Sequence, residues 1–161
     1  TLITVLLFAG VPACLPLARR MGTVRSGVIC LIAQGVAYLA MAAAGASMTG
    51  FFLSVALLAL AQGVMSPLYY TVLAAAVDDG DPRPSTGSAG LAYSINTWVT
   101  KLAMGLTGFV LAQFLSWGHY IEGGMTQPPD LPSWIMGGFV WLPLGAVGMQ
   151  VLCLLAWRGR E

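Results

Sequence analysis

Lys101 stands some eleven residues after Gly90 in a long apolar stretch, and it is the one full charge inside any such stretch of this 161-residue chain. An ammonium group at the centre of a bilayer costs about 2.5–3.5 kcal/mol on insertion scales, so such a residue usually faces a bundle interior or a watery cavity and pairs there. Helical spacing puts Thr97, Ser94 and Gly90 on the same face, at i−4, i−7 and i−11. Asn96 and Thr100 flank this stripe, and Gly105 and Gly108 beyond it would let a neighbouring backbone come close. The competing reading is a lysine that snorkels to the membrane surface from a helix beginning near Gly90. No acidic residue lies within an apolar stretch, so an intramembrane carboxylate partner for Lys101 would come from protein outside these residues.

A second charged group, Asp78, Asp79, Asp81 and Arg83, lies at the end of the third apolar stretch and in the turn-rich connection after it, with Gly80, Pro82 and Pro84. Two readings stand: a solvated acidic loop, or a gate in which Asp78, Asp81 and Arg83, with Arg19 and Arg20, make and break ion pairs as the protein changes shape. Gln34 and Gln62 are polar residues in apolar surroundings, of a kind that ties helices together. Tyr69 and Tyr70, near Pro67, suit either a cavity lining or aromatic packing, and His119 has no partner at metal-ligand spacing. The nucleophile elbow, the HExxH pair, the phosphate-binding loop and the CxxC pair are all absent, which argues against an enzyme.

The elements that must position these residues follow from composition. The chain is 58% hydrophobic and 8% charged, with mean hydropathy +0.82; soluble proteins carry about 25% charged residues. The net charge of +1 argues against nucleic acid as a partner. Cys14, Cys30 and Cys153 stand singly in apolar runs and read as packing residues. Five stretches approach the roughly 20 apolar residues of a membrane-crossing helix: residues 1–17, 27–45, 51–77, 90–117 and 134–157. Their unbroken hydrophobicity predicts helices rather than alternating barrel strands, because each lipid-facing backbone must satisfy its own polar groups. The first stretch has its arginines after the apolar run and no Met at its start, which reads as the tail of a helix and the chain as a fragment, not a signal peptide.

With five crossings, all six arginines (Arg19, Arg20, Arg25, Arg83, Arg158 and Arg160) fall on one side, and the opposite segments have no Lys or Arg. The positive-inside rule makes the arginine side cytoplasmic, including the C-terminus, and Trp117, Tyr120 and Trp134 suit an interfacial aromatic belt on the other side. Pro12, Pro16, Pro67 and Pro143 can kink helices, and many of the 20 glycines lie within the stretches as close-packing or hinge positions.

The run from Val77 to Lys101, VDDGDPRPSTGSAGLAYSINTWVTK, resembles the glycoside–pentoside–hexuronide:cation symporters of the major facilitator superfamily, typified by the melibiose permease. Val77, Asp78, Gly80 and Asp81 match that family's VD-x-G-acidic run, Arg83 stands where a lysine is frequent, and Tyr93 and Ser94 match its YS pair. Lys101 falls at the family's spacing from that pair, and Pro16 to Arg25 is similar to its arginine- and glycine-bearing loop between helices eight and nine. The chain departs from the pattern at Ala74–Ala75, Asp79, Gly87 and Ala89, where the family carries other residues, three of them charged.

The resemblance implies an all-α membrane fold in which this chain supplies about five helices, from the end of helix eight through helix twelve, of two six-helix halves. It implies import of a sugar or glycoside with Na⁺ or H⁺ as coupling ion, no other cofactor, and alternating access in a bacterial inner membrane. The missing first half of the same protein would complete the cavity. Lys101, Thr97, Ser94, Tyr93 and Asn96 become the cation and solute residues, and Asp78, Asp81, Arg83, Arg19 and Arg20 the cytoplasmic gate. Other readings are a drug/proton antiporter of the same superfamily and a membrane subunit that moves no solute.

Overall fold

A computed structural model describes residues 2–45, 47–80, 88–124 and 126–157. The helices in chain order are α1 (Leu2–Met21), α2 (Thr23–Ala44), α3 (Met48–Gly80), α4 (Ser88–Trp117), α5 (Leu131–Met136) and α6 (Leu142–Ala156), with a five-residue π-helical stretch, Gly137–Trp141, joining the last two. Among the described residues five continuous spans are long and apolar enough to cross a membrane: Ile3–Met21, Thr23–Ala44, Met48–Asp78, Gly90–Trp117 and Leu131–Ala156. The fold is all-α.

The ends of these helices differ from the hydropathy-based bounds for physical reasons. The polar segment 18–26 is almost wholly helical, and only Gly22 interrupts it, with φ 83° and ψ 157°. That conformation is open to glycine and strained for any residue with a Cβ. Arg19 and Arg20 ride in the last turn of α1, where cations suit the exposed carbonyls of a helix end. Helix α3 likewise continues past the apolar run through Asp78 to Gly80, because an alanine-rich approach offers nothing to stop it. At 33 residues it is about 50 Å long, well beyond a hydrocarbon core of about 30 Å.

Contacts divide the chain into two compact units. The first holds α1, α2, α3 and α6 from Leu144 onward. Helix α3 packs on both α1 and α2. At the α1–α3 crossing Gly10 meets Gly63: a Cβ on Gly63 would run into the Leu7 carbonyl oxygen and lie 3.1 Å from the Gly10 Cα. Small residues allow this approach, and dispersion between the two backbones replaces the hydrophobic drive that lipid cannot supply. Helix α2 packs on α6 around buried Leu31, Val147 and Leu154, with Val28, Met65 and Val72 against them. A Cβ on Gly27 would sit 2.9 Å from Leu154 Cδ2.

Buried hydroxyls in this unit are satisfied locally. Ser26 donates to the Gly22 carbonyl at 2.7 Å and Ser54 to the Gly50 carbonyl at 2.8 Å. Among the described residues Gln34 and Gln62 do not form the ties that their positions suggest: Gln62 is exposed, and the buried Gln34 has no hydrogen-bond partner there for Nε2.

The second unit holds α4, α5 and the π-helical stretch through Pro143. Among the described residues of this unit, α4 packs through its C-terminal turns against α5 and the π-helical stretch. Leu91, Ile95, Trp98, Leu102, Leu106 and Phe109 are all exposed along the helix.

Candidate functional site

The polar face of α4 is built by one continuous helix from Ser88 to Trp117, so the spacing read from sequence is realised without a break. Gly90, Ser94, Thr97 and Lys101 share that face, and Tyr93 and Asn96 adjoin it. Ser94, Thr97 and Lys101 are exposed, Tyr93 is 40% exposed, and Asn96 is half-buried.

Each of the serine and threonine hydroxyls from Ser94 to Thr107 has committed its proton to the helix itself. Ser94 donates to the Gly90 carbonyl, Thr97 to the Tyr93 carbonyl and Thr100 to the Asn96 carbonyl, each at 2.8 Å, and Thr107 repeats the pattern on Ala103. A serine or threonine oxygen whose hydrogen is engaged keeps its two lone pairs. The face therefore presents hydroxyl oxygens as acceptors and the Lys101 ammonium as a donor with three protons. Such a set can accept from O–H or N–H donors and donate to oxygen acceptors of a bound solute.

The gate residues divide. Arg19 and Arg20, at the end of α1, and Asp78, near the end of α3, are exposed. They lie at one end of the first unit: α2 starts directly after α1, and its first turns, through Val24 and Val28, pack in the same cluster as Val72 near the end of α3. No ion pair joins the three among the described residues. Asp81 and Arg83 lie outside the described residues.

At the other end of α4, sequence reasoning assigned Trp117 and Trp134 to an interfacial belt and did not join them to Phe114. There Phe114, Trp117 and Trp134 form a cluster, with ring centroids 5.6 Å apart for Phe114–Trp117, 6.4 Å for Phe114–Trp134 and 5.7 Å for Trp117–Trp134. Phe114 lies against the π-helical stretch: a Cβ on Gly137 would be 3.0 Å from its Cε1, and one on Gly138 would be 3.3 Å from its Cγ. The Leu142 N–H reaches back to the Gly137 carbonyl, and Pro143, which follows, has no N–H with which to continue the ladder. The Gly-Gly pair six residues before a proline was the available signal. The segment after α4 is held by Gln127, whose side chain accepts from the Ile121 N–H at 3.1 Å and donates to the Ile121 and Gly124 carbonyls at 2.8 and 3.2 Å.

An open groove of about 620 Å³ runs beside this cluster, lined by Gln113, Ser116, Trp117, His119 and Trp134.

Comparison with known proteins fits a membrane carrier. The family described as MFS/sugar transport protein matches residues 1–157. The isoprimeverose transporter of Lactiplantibacillus pentosus is 28% identical over 99 residues, which cover 62% of this chain and 20% of that protein. The chain thus aligns with about a fifth of that relative's length. No solved structure matches it. A match over nearly every residue, on a chain built of apolar helices long enough to span a bilayer, leaves one assignment: the chain belongs to the MFS/sugar transport protein family.

Proposed function

We propose that these helices are the later part of a carrier that brings a sugar or glycoside across the cell membrane together with Na⁺ or H⁺, by alternating access between two six-helix halves. The observation that carries this reading is the face of α4, where Lys101 stands in register with Ser94 and Thr97, whose hydroxyl protons are already engaged. Family membership and the isoprimeverose transporter's name support a sugar as the solute.

The chemistry follows from the groups present. The Lys101 ammonium hydrogen-bonds a neutral solute through its three N–H donors and competes with a coupling cation for the neighbouring hydroxyl oxygens. Thr97 and Ser94 offer oxygens to solute hydroxyls, and Asn96 and Tyr93 add an amide and a phenol beside them. A cation arriving near Lys101 shifts the ammonium's balance of partners, which is a physical route for coupling ion and solute occupancy. Asp78 with Arg19 and Arg20, and with Asp81 and Arg83, closes the cytoplasmic side through ion pairs in one state and releases them in the other. The arginine-bearing ends face the cytoplasm on this reading.

Uptake of radiolabelled isoprimeverose by the full-length protein in proteoliposomes, with and without a Na⁺ or pH gradient, tests it. Gradient-driven accumulation is expected, and Lys101→Ala should cut it by about tenfold or more, equivalent to about 1.4 kcal/mol, without lowering the amount of protein in the membrane. Undiminished accumulation by that variant would remove the role given to Lys101; no accumulation of sugar by the wild type would remove the sugar-carrier reading.

A further inference from the structure

We propose that the groove between the end of α4 and the start of α5 is a second sugar-binding subsite, a vestibule that holds one neutral carbohydrate ring before it reaches the polar face of α4. The proposal rests on the sugar-carrier reading and names a place that the reading does not require.

One backbone feature places an imidazole at the groove. Helix α4 ends in a paired-bond cap: the Tyr120 N–H bonds the Leu115 carbonyl and the His119 N–H bonds the Ser116 carbonyl, both at 3.0 Å. In that cap the residue with left-handed backbone is usually glycine. Here it is His119, with φ 52°, and Gly118 sits one position too early to take the strain. A non-glycine residue in this region costs about 1–2 kcal/mol. Gly118 is itself confined, since a Cβ on it would meet Leu131 Cδ1 at 2.7 Å and Trp134 Cβ at 3.2 Å. The fold therefore spends the cap's glycine slot on an imidazole that lines the groove.

The lining fits a carbohydrate. Trp117 and Trp134 are 49% and 38% exposed, so each indole keeps surface open beside the groove. An aromatic face suits the C–H face of a pyranose or pentopyranose ring, while the indole N–H groups can donate to its oxygens. Gln113 adds an amide, Ser116 a hydroxyl and His119 an imidazole, so the lining carries both donors and acceptors beside the apolar surface. No Asp, Glu, Lys or Arg is among the five lining residues, which favours a neutral ligand over a phosphate or an amino acid. The two indoles are held before any ligand arrives, because Phe114, wedged against Gly137 and Gly138, packs on both of them. Preorganisation of this kind lowers the ordering cost of binding. A membrane-surface belt would account for the two indoles, but not for a strained histidine, an amide and a hydroxyl on one groove.

His119→Gly makes the test clean, because glycine suits the cap and removes only the imidazole. The full-length protein is purified and titrated with isoprimeverose while its indole fluorescence is followed, and the KM for entry is measured in proteoliposomes from each face. A saturable fluorescence change is expected, weakened about fivefold in His119→Gly and in Gln113→Ala, the loss of about one hydrogen bond each. Trp134→Leu and His119→Gly should raise the KM only for sugar presented at the face opposite the arginine-bearing ends, with Vmax kept and with Trp134→Phe close to wild type. Equal affinity and KM in wild type, His119→Gly and Trp134→Leu would overturn the subsite, as would variants that change only the amount of folded protein. If the wild type moves no sugar but still shows the saturable change, lost in His119→Gly, the carrier reading fails and the subsite stands. Transport without any such change is the reverse.

Discussion

Gly10 of α1 and Gly63 of α3 bring their backbones into direct contact, so that no side-chain atom fits between the two helices at that level. The obstacle at Gly63 is the Leu7 carbonyl group, which is fixed by its own helix; the obstacle at Gly27 of α2 is a Leu154 methyl, the movable end of a side chain.

Gly63→Ala should therefore force α1 and α3 apart and lower stability by about 1–3 kcal/mol or more, whereas Gly27→Ala, which asks only for a rotamer change, should cost under about 1.5 kcal/mol. Thermal unfolding of the full-length protein in detergent, read side by side for the two variants, checks the order. Gly27→Ala proving the more damaging would contradict the crossing described.

Gly22→Ala tests the break between α1 and α2. With φ 83° and ψ 157° the site is almost restricted to glycine, and the substitution should cost about 1–3 kcal/mol through backbone strain. The check is a drop in melting temperature together with faster proteolysis near residues 18–26. An alanine variant as stable as the parent would mean that the helices join by another backbone path.

Gln34 is the one described buried side chain with an unpaired polar atom, its Nε2. An unsatisfied buried donor costs about 1–3 kcal/mol, so Gln34→Leu, similar in size and free of that donor, should leave stability unchanged or raise it. Denaturation of the purified protein measures this. A clear loss of stability would show that the amide finds a partner in the assembled protein.

Much of the fold was legible because hydropathy and length report directly on bilayer crossing. The helix ends were not, since a polar residue at the membrane surface does not have to end a helix. Arg19 and Arg20 suit the last turn of α1, and Asp78 prolongs α3, although both groups read as loop. The face containing Ser94, Thr97 and Lys101 was legible because 3.6-residue spacing fixes it as soon as α4 is one helix. What the spacing could not reveal was that each hydroxyl proton is spent on the preceding turn. The groove at His119 was passed over for another reason: its cap puts glycine one position before the left-handed residue, so the usual Gly signal points to the wrong place.

The hydroxyl bonds along α4 have a mechanical side. At Gly90, Tyr93, Asn96 and Ala103 a carbonyl oxygen takes on a side-chain proton from the residue four places ahead, in addition to its part in the helical ladder. Sharing of this kind slightly loosens the ladder and favours bowing. The rod that holds the ammonium in place is thus a compliant one, and a small curvature near Asn96 would swing Lys101 sideways while both ends of the rod stay put.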